Sequence, residues 1–168
     1  NGNARTANLA ATWASSNVSL NYTGATSQSD NYEAGEAFKT TRETGRPGHT
    51  LDLDEVGSSA WETRNHTLGL AVRNEQHLLH LSFGYQDMPY QLYPNQRMDL
   101  LDNEQERVNL RYLGEFGAVA VEARVYRETV DHFMDFGDDK RFWYGTNSGT
   151  GTPCSPIRFH GDPAGTCA

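Results

Sequence analysis

Apolar residues recur along this chain at every second position far more often than at helical spacing. The clearest stretch is His77 to Tyr85. There Leu79, Leu81, Phe83 and Tyr85 fall on one face, with His80, Ser82 and Gly84 on the other, the mark of a strand with one apolar side. Leu68, Leu70 and Val72 alternate with Thr67, Gly69 and Ala71, and the polar connector Arg73 to Gln76 joins the two runs as a hairpin. Val108, Leu110 and Tyr112 alternate with Arg107, Asn109 and Arg111. Past a turn at Gly114 to Gly117, Val119, Val121, Ala123 and Val125 face away from Glu122, Arg124 and Tyr126. Weaker runs at Ala7 to Trp13 and Val18 to Gly24 flank a turn at Ser15 to Asn17. The pattern predicts an all-β, antiparallel up-and-down meander of about six strands in three hairpins.

The connectors divide into two classes. Those within hairpins are short, whereas those between hairpins are long, at about residues 31–60 and 88–103, with a third long segment at 137–168. A soluble sandwich keeps most connections to about 4 to 6 residues. Short turns at one end and long loops at the other match outer-membrane barrels, whose apolar face meets lipid and whose polar face lines a lumen. Trp13, Tyr22, Trp61, Tyr85 and Tyr112, near strand ends, suit aromatic girdles; ordinary core and edge aromatics of a soluble sheet are the other reading. No run approaches the roughly 18 to 20 apolar residues of a membrane helix, which leaves a strand barrel open. Membrane barrels begin at eight strands, so six are expected to be an interior piece of something larger.

Composition narrows the partners. The 168 residues carry 22 acidic and 14 basic side chains, a formal charge of −8, and Lys39 and Lys140 are the sole lysines. Such a chain lacks the basic patch that grips a phosphate backbone, so nucleic acid is excluded as a partner. Cys154 and Cys167 sit in a segment rich in Gly, Pro, Thr and Ser. They read as a loop disulfide or as two free thiols, and the turn-rich context favours the disulfide and an oxidising compartment. Acidic groups at Asp52, Asp54 and Glu55 and at Asp138 and Asp139 lack EF-hand spacing and read as solvated loop charge. No nucleophile elbow, zincin or phosphate-loop motif occurs, so the chain is not expected to be an enzyme or to hold an intrinsic cofactor.

Several strings go beyond periodicity. Ser16-Asn17-Val18-Ser19-Leu20-Asn21-Tyr22-Thr23-Gly24, continuing to Ser29-Asp30-Asn31-Tyr32-Glu33-Ala34-Gly35, resembles the strand and loop entry of TonB-dependent outer-membrane receptors. Tyr93-Pro94-Asn95-Gln96-Arg97-Met98-Asp99, Arg107 to Tyr112, Val121 to Tyr126 and Val130 to Asp135 look like the same family. Within it, the TonB-dependent copper receptors are the nearest resemblance. They carry a Met-Asp in one loop and a His-x-Met-Asp at the end of a nearby strand. The resemblance spans about Ser16 to Asp135 and implies part of a 22-stranded barrel in the bacterial outer membrane that takes up a scarce metal, most of all copper. It also implies the partners: a plug domain and further barrel strands, the TonB complex acting through the plug, and outer-membrane lipid and lipopolysaccharide. No plug, TonB box or closing aromatic strand is recognised among these residues.

His132 and Met134, two apart on one strand, project to the same face, and imidazole with thioether suits copper, Cu(I) above all. Asp131 and Asp135 then fall on the opposite face. Met98 and Met88, placed in the loop between the two central hairpins, are candidates for capturing copper outside. Read without the resemblance, His132 is an ordinary histidine and the methionines are packing residues. Rival functions are a siderophore or vitamin receptor of the same fold, and a soluble secreted β-domain that binds carbohydrate or protein through its loops.

Overall fold

The computed structural model describes residues 2–40, 42–44, 46, 48–96 and 98–140, and there the chain is all-β. In chain order the strands are β1 (Arg5–Ala14), β2 (Val18–Ser29), the two-residue β3 (Tyr32–Glu33) and β4 (Glu55–Val56), β5 (Trp61–Arg73), β6 (His77–Gln91), β7 (Asp99–Phe116) and β8 (Val119–Asp135). Six of them form one antiparallel sheet in the order β1-β2-β5-β6-β7-β8, a plain meander, while β3 and β4 pair by themselves within the connector from β2 to β5.

The strands run well past the alternating segments. The β6 strand reaches Gln91 and β7 begins at Asp99, so the loop expected at 88–103 is the short connector 92–98, and Met88 belongs to a strand. The reason is physical. Apolar alternation reports only the stretch with an apolar neighbour on one side, whereas the backbone ladder continues beyond it through residues that no longer alternate. Pro89 has no N–H to give the ladder. No pairing with β7 occurs between Met88↔Asn103 and Gln91↔Leu100, and the register with β5 shifts between Glu62 and Arg64. The last hairpin turns at Gly117 and Ala118, two residues later on average than the sequence suggests, with Gly117 at φ 65°. A positive φ at the first position of a two-residue turn matches the twist of the strands it joins.

The three turns are tied side by side. Asn17 Nδ2 donates to the Arg73 carbonyl at 2.8 Å, the Arg73 N–H to Asn17 O at 2.8 Å and the Glu115 N–H to Gln76 O at 2.9 Å. Within the β5–β6 turn, Asn74 Oδ1 accepts from the N–H groups of Gln76 and His77.

Register assigns the faces. Leu20, Leu70, Leu81, Leu110 and Val125 lie abreast across β2, β5, β6, β7 and β8, with Trp13 beside Leu20 on β1. Val18, Val72, Leu79 and Tyr112 flank this row on one side, and Tyr22, Leu68, Phe83 and Val108 on the other. Most of these side chains are exposed, and among the described residues the buried apolar ones are Leu51 and Leu100. The sheet therefore offers one broad, continuous apolar face rather than singly scattered apolar residues.

The long-connector end is closed by a polar knot instead of a hydrophobic core. Asp99 and Lys140 form an ion pair at 3.1 Å, and the lysine also donates to the carbonyls of Tyr93 at 2.6 Å and Gln96 at 2.9 Å. Asp99 accepts from Ser58 Oγ at 2.9 Å and from the Tyr93 N–H at 2.8 Å. Asp139 accepts from the Ser58 N–H and Asn31 Nδ2, each at 2.8 Å, and pairs with His49 Nε2 at 2.7 Å. Asp138 is exposed and pairs with Arg46, as a loop carboxylate should, but Asp139 is mostly buried and structural, contrary to the solvated role its sequence suggests. Burial pushes the Asp139 carboxyl up, and the hydrogen bonds from Ser58, Asn31 and His49 outweigh it, holding the group below the usual carboxylate range. Burial pushes the Lys140 ammonium down. The remainder of the expected segment 137–168, with Cys154 and Cys167, lies outside the described residues.

Candidate functional site

Two features of the sheet bear on function, and they lie on its opposite faces.

On the apolar face, a tyrosine marks each edge of the band. Tyr22 hydrogen-bonds His66 Nδ1 at 2.8 Å, and Tyr112 hydrogen-bonds His77 Nδ1 at 2.8 Å. Each histidine is paired in register with a glycine, His66 with Gly24 and His77 with Gly114. A Cβ on Gly24 would lie 2.5 Å from the Tyr22 hydroxyl, and one on Gly114 2.3 Å from that of Tyr112. Each tyrosine thus lies over a glycine two residues further along its own strand. Because β2 and β7 run in opposite directions, the two hydroxyls point away from the apolar rows between them, one toward each end of the sheet. Tyr85 joins the first edge through its hydroxyl to Glu104 at 3.3 Å. Beyond it the same face turns charged, with Arg64 held by Glu62 and by Asp87 at 2.9 Å. From His77 to Tyr85 the strand covers about 27 Å at roughly 3.4 Å per residue. Tilted by about 40°, that is about 21 Å of height, close to the roughly 25 Å apolar band of an outer-membrane barrel.

The opposite face is polar and charged. Arg111 pairs with Glu122 at 2.8 Å, Gln105 bonds Glu128, and Asn65 accepts from Gln86 at 2.7 Å. Here β8 carries His132 and Met134, at positions of like parity, while Asp131 and Asp135 take the other parity. His132 pairs in register with Asn103 of β7, and Asn103 with Met88 of β6. The three are therefore abreast on the polar face. His132 Nδ1 lies 3.2 Å from Asn103 Oδ1, and Asn103 Nδ2 lies 4.0 Å from Met88 Sδ. Met134 is one row further toward the knot, opposite Leu100, beyond a bulge between Leu100 and Asp102. Met98 is exposed in the connector before β7. The structure thus sets His132 abreast of Met88, with Met134 on the same face one row away, and leaves Met98 in the connector. Among the described residues no three His, Cys, Asp or Glu side chains converge as a metal site.

The pairing of Asn103 with both donors is absent from the sequence reading. Counting residues outward from the Gly117–Ala118 turn sets Asn103 opposite His132. Counting from a turn placed two residues earlier sets Asp99 there instead.

No protein-family description matches the chain, and no curated protein matches it. Ten solved chains do. Among them, one titled copper transporter OprC superimposes with a TM-score of 0.56 at 26% sequence identity. The chain is similar to a copper transporter. The match covers 79% of this chain and 18% of that protein, so the chain spans under a fifth of the transporter's length. Its open six-stranded meander agrees with a segment of a barrel. No helix among the described residues is long and apolar enough to cross a membrane, which does not bear on crossing by strands.

Proposed function

We propose that this chain forms part of the barrel wall of a TonB-dependent receptor in the bacterial outer membrane, and that the receptor takes up copper. The observation that carries the membrane part is the apolar face bounded at both edges by tyrosines whose hydroxyls point outward, since amphipathic rings settle where hydrocarbon meets headgroups. In this reading the short turns face the periplasm and the knotted connectors face outside. Further strands of the same receptor pair with the outer edges of β1 and β8, because unpaired backbone groups in hydrocarbon cost several kcal/mol each. A plug fills the polar side and couples to TonB, and lipopolysaccharide surrounds the charged rows above the girdle.

Copper is favoured over a siderophore or vitamin by the likeness to OprC and by His132, Met134 and Met88 sharing the lumen face, since imidazole and thioether prefer Cu(I) to hard ions. Met98 serves as an outer capture point. The chain acts as wall and ligand-bearing surface, not as an enzyme, and holds no resident cofactor. The test is accumulation of radioactive copper by copper-starved bacteria that express the receptor carrying this chain. Uptake that depends on TonB and falls in a His132→Ala, Met134→Ala variant supports the assignment. Uptake no greater than in receptor-less cells overturns it.

A further inference from the structure

We infer that Asn103 is a positioning residue that holds His132 in the tautomer able to bind a soft metal and couples it to Met88. Asn103 Oδ1 has no hydrogen to give, so across the 3.2 Å contact His132 Nδ1 must be the donor. A neutral imidazole protonated at Nδ1 has its lone pair on Nε2, the ring nitrogen not engaged by the Asn103 carbonyl. The other side of the amide agrees with this orientation. Asn103 Nδ2, a donor, meets the Met88 sulfur, a weak acceptor, and a flipped amide would put its oxygen against that sulfur. Thioether sulfur has two lone pairs, and one remains after this contact.

One side chain therefore orients a ligand on each of its neighbouring strands. The two ligands stand two strand spacings apart, roughly 10 Å at backbone level, and Met134 lies on His132's own strand. A single ion is held by His132 and Met134, and Met88 is a second station reached sideways along the same row. Nothing in the pattern of β7, where Asn103 is one of several polar residues at alternate positions, singles it out.

This role rests on the copper reading above, and the experiment separates the two. The receptor that carries this chain is purified in detergent and titrated with Cu(I) against a chromophoric chelator. Nitrogen NMR of labelled histidine reports the His132 tautomer. The expected result is Nδ1–H in the parent protein and a shift toward Nε2–H in Asn103→Leu. Cu(I) affinity should fall about 10- to 100-fold in that variant, the usual effect of removing a partner that orients a metal-binding histidine. Asn103→Asp keeps the acceptor and should restore both tautomer and affinity. An Asn103→Leu protein with unchanged tautomer and affinity, in a receptor whose binding is abolished by His132→Ala, overturns the role of Asn103 and leaves the copper reading standing. A parent protein that binds no Cu(I) overturns both.

Discussion

Tyr22 and His66 meet across β2 and β5 with a 2.8 Å hydrogen bond, and the ring that reaches there lies over Gly24, the registered partner of that same histidine. Tyr112, His77 and Gly114 repeat the arrangement at the other end of the sheet. A glycine that would weaken a strand is covered by an aromatic ring, and the polar tip is carried to the edge of the apolar band. Tyr22→Phe and Tyr112→Phe should each cost about 0.5–1.5 kcal/mol by losing one hydrogen bond. Urea titration of the receptor refolded in liposomes measures this, and a loss above about 3 kcal/mol would mean the rings do more than cap the band.

Leu110 and Asn109 are neighbours on β7 with opposite facing. If the apolar face meets hydrocarbon, Leu110→Arg in the central row should cost about 2–4 kcal/mol, while lumen-facing Asn109→Arg is tolerated far better. Equal effects in bilayer refolding would contradict the assignment of faces.

The buried Asp99–Lys140 pair at 3.1 Å is the most exposed to single changes, because removing one partner strands the other's charge. Lys140→Met should destabilise the knot by about 3–5 kcal/mol, and the double change Asp99→Leu, Lys140→Met by less than either single change. Limited proteolysis of the 92–98 connector and its amide exchange would report the order of these variants.

Gly137 has no room for a methyl group, since its Cβ would fall 2.1 Å from Asp99 Oδ2. Gly137→Ala should push Asp99 off Lys140 and cost about 1–3 kcal/mol by overpacking. The same connector probes read it, and a neutral outcome would show that the knot yields easily.

Asp139 sets the acid response of the knot. Its carboxyl is held below the usual carboxylate range, so between the folded and unfolded values the unfolded chain binds more protons. The contribution is fully present above the unfolded value and is lost as pH falls through the folded one. Protection of the Ser58 amide, which donates to Asp139, should decline on acidification in that window, and Asp139→Asn should abolish this dependence while lowering protection at neutral pH.

Residue order alone determined the all-β meander, the three hairpins and the division into an apolar and a polar face. Each of these follows from period-two alternation, a local property written in neighbours such as Leu79, Leu81 and Phe83. It also set His132 and Met134 on one face. It could not locate strand ends, because ladders continue where alternation stops, and it misplaced the last turn by two residues. Only the tertiary structure decided what depends on register between strands: Asn103 between Met88 and His132, each tyrosine over its glycine beside a histidine, and Asp139 and Lys140 buried in a knot drawn from four distant segments. Most of these contacts join residues on different strands or connectors, so their partners are set by pairing and loop closure and not by any local signal.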